Sequence, residues 1–174
     1  MLMIEKETGR YVDWKIFDTN TNILSKENSE FTDKIFSKSK ICIVIENEDG
    51  EIFGCYINST INKVGCFIRD EHAFVFNLES NGRHPTPIKF NIKKEECDCA
   101  FCIYSDDYFI ELFYCGNADI LIKKENKKSE SFCYQWEKSH FDYRGVEKAL
   151  IQNPYNVWNG KDFTPKRFIV IQMK

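Results

Sequence analysis

Apolar positions in Ile41–Ile57 fall into two runs separated by a polar turn. Ile41, Cys42, Ile43, Val44 and Ile45 form a continuous, β-branched run. It is too short for a helix and suits a strand covered on both faces. Asn47-Glu48-Asp49-Gly50 breaks it, and Asp-Gly between apolar runs predicts a hairpin. Ile52–Ile57 is the return strand, and Gly54 inside it marks a bulge or the close approach of another backbone.

The same patterning predicts further strands. Asp70–Leu78 alternates, with Ala73, Val75 and Asn77 against Phe74, Phe76 and Leu78. Ile88–Ile92 alternates with Ile88, Phe90 and Ile92 inward, and Cys99–Tyr104 is apolar on both faces. Tyr108–Cys115 reads as a strand, with a helix as the alternative, and Gly116-Asn117 turns the chain into the strand Ala118–Ile122. Phe163–Met173 closes the pattern around the apolar strand Phe168–Ile171. Tyr11–Phe17 fits a strand or a short helix. Helical signals cover Glu30–Lys38, capped by Asn28 or Ser29 with Phe31, Ile35 and Phe36 on one side. They recur over Gly145–Gln152, which Asn153-Pro154 stops. Met1–Arg10 reads as a fraying lead-in, Lys93–Glu96 as an exposed link and Lys123–Ser131 as a solvated loop. The expected fold is mainly β (α+β): a two-sheet antiparallel β-sandwich flanked by two or three short helices. The expected division is a lead-in over 1–11 and a single domain over 12–174.

Composition agrees with a folded domain. The chain has 174 residues, long enough for a buried core, and 15 Phe supply large apolar side chains for it. A formal net charge of −3 argues against a general polyanion binder. The first ten residues lack the basic-then-apolar pattern of a secretory signal, and no apolar run is long enough to span a bilayer. These features predict a cytoplasmic location with nuclear entry open. The eight cysteines (42, 55, 66, 97, 99, 102, 115 and 133) accordingly read as reduced.

Candidate chemistry is sparse. Cys97, Cys99 and Cys102, with Cys115 and Cys133 downstream, are the sharpest metal candidate. A strand through them would put Cys97 and Cys99 on one face and Cys102 on the other, so core and edge cysteines are the favoured reading. No cysteine lies beside His72, His84 or His140 to form a thiol–imidazole pair. His72 reads as a structural histidine and His84 as a solvated one. Ser139, His140 and Asp142 are too close in sequence for a triad, whose members approach from separate segments. Glu95-Glu96 and Asp106-Asp107 read as solvated loop ends, and Asn47–Gly50 lacks the spacing of a calcium loop. No catalytic, cofactor or metal residue is assigned. The remaining candidates are basic: Lys123, Lys124, Lys127 and Lys128 in one loop, and Lys166 and Arg167 near Phe163. Basic residues among aromatics can bind single strands, while Glu125 and Glu130 favour a solvated loop.

The order of segments resembles the TLDc domain, found in oxidation-resistance proteins and their relatives, and most of all its short stand-alone forms in amoebae. Trp14–Asp18 resembles the family's leading segment, and Phe31–Phe36 the helix before its first long strand. Asp49-Gly50-Glu51-Ile52-Phe53-Gly54 resembles its hairpin, and Ala73–Leu78 its Ser-Phe-Leu-Phe-x-Leu strand. Gly116–Ile122 resembles its glycine-led strand, Ser131-Phe132-Cys133 its Ser-x-x-Cys neighbourhood and Phe163–Met173 its closing strand. The glycine-rich stretch is reduced to Gly116, and Ile169–Met173 replaces the common Glu-Val-Trp ending. The resemblance implies a β-sandwich and a non-enzymatic regulator that binds proteins. It also implies ties to oxidative-stress protection and the vacuolar proton-pumping ATPase. A nucleic-acid-binding regulator using the basic loops and a cysteine-based redox sensor or enzyme are the alternatives.

Overall fold

The computed structural model describes residues 2–22, 29–104, 109–135, 139–153 and 162–174. In chain order, the helix α1 (Leu2–Thr8) leads into β1 (Val12–Asp18), followed by α2 (Ser29–Ile35). The hairpin β2 (Ile41–Asn47) and β3 (Ile52–Ile57) comes next, then β4 (Phe74–Glu79) and β5 (Ile88–Asn91). A 3₁₀ helix, Lys94–Cys99, precedes β6 (Phe101–Ile103), β7 (Glu111–Cys115) and β8 (Ile120–Lys123). A second 3₁₀ helix, Glu125–Glu130, and β9 (Pro165–Met173) complete the fold.

The strands form two antiparallel sheets. One has six strands in the order β1-β9-β2-β3-β4-β5, and the other three in the order β6-β7-β8. The opening apolar runs lie at the centre of the larger sheet, with β2 hydrogen-bonded to β3 on one side and β9 on the other. Ile43, Ile45, Phe53, Cys55 and Val75 point into the main core, where Phe101, Phe113 and Ile122 of the smaller sheet meet them. Phe31 of α2 stacks on Phe113 at 5.5 Å and meets Phe168 edge-on at 5.8 Å, closing one end of the sandwich. The sulfurs of Cys55 and Cys115 meet across the sheets, a pairing that the sequence reading of eight separate thiols did not show. They lie 60 residues apart, so only the packing of β3 against β7 brings them together.

The opposite face of the larger sheet is also apolar. Cys42, Tyr56, Phe74, Phe76, Ile171 and Met173 are buried there beneath Ile4 of α1. The alternation of β4 therefore serves two cores: Val75 faces the smaller sheet, while Phe74 and Phe76 face α1. This corrects the fraying lead-in. The sequence signal is weak because, among the described side chains of α1, Ile4 is the fully buried one.

Gly54 settles the hairpin. Its register with Val44 is regular, so there is no bulge. A side chain at this position would collide with the Ile43 carbonyl and press on the Phe76 ring. Close approach is the reason for the glycine.

The turn beside it holds a buried carboxylate. Glu51 accepts from Arg83 Nη1, from the Asn47 amide at 2.8 Å and from the Gln152 backbone N–H at 2.8 Å. Arg83 also donates to the carbonyls of Ser80 at 2.9 Å, Lys148 at 3.3 Å and Leu150 at 3.3 Å. Asn77 Nδ2 reaches the Leu150 carbonyl as well, at 2.6 Å. Residues 145–152 are turns and bends pinned by these bonds rather than the helix expected over Gly145–Gln152. Val146, Ala149 and Leu150 do pack inward, which is what imitated a helical stripe.

Other boundaries shift for local reasons. The strand expected from Asp70 starts at Phe74, because Asp70 caps the backbone N–H groups of Asn58, Ser59 and His72. The helix expected to reach Lys38 ends at Ile35, and Ser37 then takes a positive φ of 63°. Phe31 and Ile35 are buried, whereas Phe36 is exposed. Ala118, with a φ of 80°, is still in the turn, so β8 begins at Ile120. Asp106-Asp107, Asn28 and Pro154 lie outside the described residues.

Two substitutions test this account. Phe53 is fully buried and meets Phe163 edge-on at 5.3 Å. Phe53→Ala should lose about 3–5 kcal/mol of stability in urea melts, and an unchanged midpoint would show that the core lies elsewhere. Arg83→Met strands the Glu51 carboxylate and should cost about 3–5 kcal/mol; a loss below about 1 kcal/mol would mean that the pair does not hold residues 145–152.

Candidate functional site

A cleft of about 390 Å³ opens where the two sheets meet beside β1. Thr19–Asn22 forms one wall, the end of β8 and the second 3₁₀ helix another, and Pro165–Phe168 the third. Four of the six basic candidates line it: Lys123, Lys128, Lys166 and Arg167. The fold thus joins the two basic stretches that are far apart in sequence.

It also neutralises most of them. Arg167 donates through Nε and Nη2 to the two oxygens of Asp18, at 3.0 and 2.7 Å. This fork, helped by Lys15 at 2.6 Å, holds the Asp18 carboxyl well below the usual carboxylate range against the opposing effect of burial. Lys166 pairs with Glu46, and Lys123 with Glu111 at 3.6 Å. Lys128 lines the cleft without an ion pair among the described residues, and Glu125 lies beside it. The two remaining candidates do not line the cleft. Lys127 pairs with Glu130 at 2.9 Å, and Lys124 is buried, with its backbone N–H on the Ile110 carbonyl. The expected solvated loop is therefore a 3₁₀ helix whose entry lysines, Lys123 and Lys124, are buried. Its lysine-rich composition concealed the burial, because lysine stems cover apolar surface readily. A nucleic-acid groove needs cations free to replace counterions on phosphate, and this cleft offers mostly charge already paired.

The cysteines do not converge. Cys97 and Cys99 lie in a 3₁₀ helix rather than on the strand expected through them, and Cys102 lies in β6. Among the described residues no three His, Cys, Asp or Glu side chains are placed to share a metal ion. Burial pushes the thiols of Cys42, Cys99, Cys102 and Cys133 up, away from the nucleophilic thiolate.

His140 occupies a setting that the sequence did not show. Its Nδ1 lies 3.4 Å from Asp119 and its Nε2 3.3 Å from Glu96. Asp119 is buried and also accepts from the His140 backbone N–H at 3.0 Å and the Tyr143 hydroxyl at 3.1 Å. Gly116 makes room for this carboxylate: its φ is 61°, and a side chain there would strike Asp119. Ser139 Oγ donates to the Tyr134 carbonyl and Asp142 accepts from the Arg144 backbone, so neighbouring residues assemble no triad. Glu95 is exposed, and Glu96 faces the imidazole with a side chain that is still 39% exposed. His72, expected to be structural, is exposed. His84, expected to be solvated, is half-buried against the Ala149 carbonyl at 3.1 Å.

Compared with known families, residues 16–151 match the model of the TLDc domain. The chain belongs to the TLDc domain family. A search of curated proteins found no match. The TLDc match includes the Gly54 hairpin and the Asp119–His140 contact. It stops before β9, although that strand lies inside the larger sheet between β1 and β2. Lys166, Arg167 and α1 also lie outside it. No helix among the described residues is long and apolar enough to cross a membrane.

The histidine contact sets a pH dependence. Asp119, through its hydrogen bond and charge, and Glu96, through its charge, raise the His140 pKa above its ordinary value, against burial and the Lys93 charge. A raised folded-state pKa gives stability that is full below about pH 6.5 and is lost as pH rises through the folded value. The wild-type melting temperature should therefore fall relative to that of His140→Gln between pH 6 and pH 8. Parallel pH profiles for the two proteins would refute the contact.

Proposed function

We propose that this TLDc domain is a non-enzymatic regulator that acts by binding a protein partner in the cytoplasm, with nuclear entry open. The observation that carries this reading is the TLDc match over residues 16–151. We further propose that its role lies in oxidative-stress protection through the vacuolar proton-pumping ATPase, as the resemblance of its hairpin and strand motifs implies. The cleft is consistent with a protein surface. Its walls combine Thr, Asn and charge pairs with Ile122, Pro165 and Phe168, a mixed composition common to protein interfaces. The paired carboxylates Asp18, Glu46 and Glu111 weigh against the nucleic-acid alternative.

Purified chain immobilised on resin should retain proton-pump subunits from detergent-solubilised vacuolar membranes, and added chain should change the ATP hydrolysis rate of those membranes. Retention of no pump subunit, with an unchanged rate, would refute the pump assignment. A labelled single-stranded 20-mer should show no salt-dependent binding. Tight binding that weakens steeply with salt would establish the nucleic-acid reading instead.

A further inference from the structure

Two sheets have four outer edges, and three of these are closed by neighbouring chain. Ile92, following β5, bridges to Phe141, and the Lys93 N–H reaches the His140 carbonyl at 2.8 Å. Beside β6, Ile68 bridges to Phe101, donating at 2.7 Å to its carbonyl. Against β8, Phe132 pairs with Leu121 in both directions. The fourth edge, β1, has no strand or bridge on its outer side among the described residues. It also carries the most exposed large apolar side chains of any strand: Tyr11, just before it, is 59% exposed, Val12 38% and Trp14 70%. An open edge carrying Tyr and Trp is a pairing surface by both its backbone and its side chains.

The order of charges on this edge selects the occupant. Asp13 and Lys15 flank Trp14, and both are about half exposed. Among the described residues Asp13 has a distant partner, Lys174 at 4.0 Å, while Lys15 also donates to Asp18 at 2.6 Å and would be shared with the partner strand. Two copies of β1 brought together antiparallel about a two-fold axis at Trp14 set Asp13 of each opposite Lys15 of the other. The same register sets Trp14 against Trp14 and Val12 against Ile16. Opposite charges and aromatic pairs directly across antiparallel strands are favourable. The contact is short. The ladder to β9 has bulges at Asp13 and Ile16. Side chains already take the Val12 and Asp18 backbone N–H groups: Glu5 at 3.3 Å and Asn22 at 3.0 Å. Trp14 and its flanking charges therefore carry the contact, rather than a long hydrogen-bond ladder.

We propose that this chain self-associates into a two-fold dimer through its β1 edge, centred on Trp14 with reciprocal Asp13–Lys15 pairs. This is separate from the partner reading above and uses a different surface from the cleft.

Sedimentation velocity over a dilution series tests it. The wild type should pass from dimer to monomer on dilution. Trp14→Ser should shift the midpoint to at least about tenfold higher concentration, by loss of a central aromatic anchor. Asp13→Lys alone and Lys15→Glu alone each place like charges opposite one another and should weaken the dimer by about tenfold. An equimolar mixture of those two variants regains complementary pairs and should dimerise at least as well as the wild type. Melting curves check that each variant is folded. Should Lys15→Glu unfold, beside Asp18, then Trp14→Ser and Asp13→Lys decide the matter. A wild type that stays monomeric at hundreds of micromolar would overturn the proposal. So would a dimer unaffected by Trp14→Ser and Asp13→Lys, or a mixture of folded charge variants that fails to regain association.

Discussion

A strand pair that is apolar on both faces can be stable only if both faces are covered, and the rest of this fold follows from that demand. The hairpin β2–β3 and its neighbours β9 and β4 present Ile43, Phe53, Cys55, Val75 and Val170 on one side. Cys42, Tyr56, Phe76 and Ile171 lie on the other. Fully burying one such side chain stabilises the fold by about 1.5–3 kcal/mol, so neither face could be left to water. The smaller sheet and α2 cover the first. The second is left to α1, which makes a seven-residue helix a structural member of the domain.

The turn of that hairpin is the second organising point. A buried Glu51 is costly unless its charge is met, and Arg83 meets it. Because Arg83 also binds the carbonyls of Lys148 and Leu150, satisfying one carboxylate fixes a segment that has no regular structure of its own. Asp119 plays a similar part, gathering His140 and Tyr143. Both acids act as nodes for irregular chain, and both sit near glycines that give way to them or to the strand beside them.

Strand content was legible because period-two alternation and β-branched runs are local. Ile41, Cys42, Ile43, Ile45, Phe53 and Phe90 were read as inward-facing from their neighbours alone, and they are buried. At Gly54 the sequence left a bulge and a close backbone as alternatives, and the Ile43 carbonyl decides for the second. What could not be read depends on residues far apart in sequence. Arg83 finds Glu51 across 32 positions, and Arg167 finds Asp18 across 149. The pairing of Arg167, Lys166 and Lys123 with Asp18, Glu46 and Glu111 was hidden too, because it arises only when the strands that carry them pair within each sheet. The helix expected over Gly145–Gln152 failed for a related reason. Its apolar spacing was real, but the backbone bonds go to Arg83, Glu51 and Asn77 instead of to one another.

The position of β9 has a consequence for how the molecule is made. This nine-residue strand follows all the others in the chain, yet it lies between the first strand and the second. On a ribosome, β2 emerges with one edge open and Ile41–Ile45 unpaired along it, and remains so through the synthesis of more than a hundred residues. Long-range closure of this kind is slow and leaves strand edges open to wrong partners. Until β9 pairs with it, β2 therefore keeps an apolar strand edge open, and β9 is the keystone that closes the larger sheet.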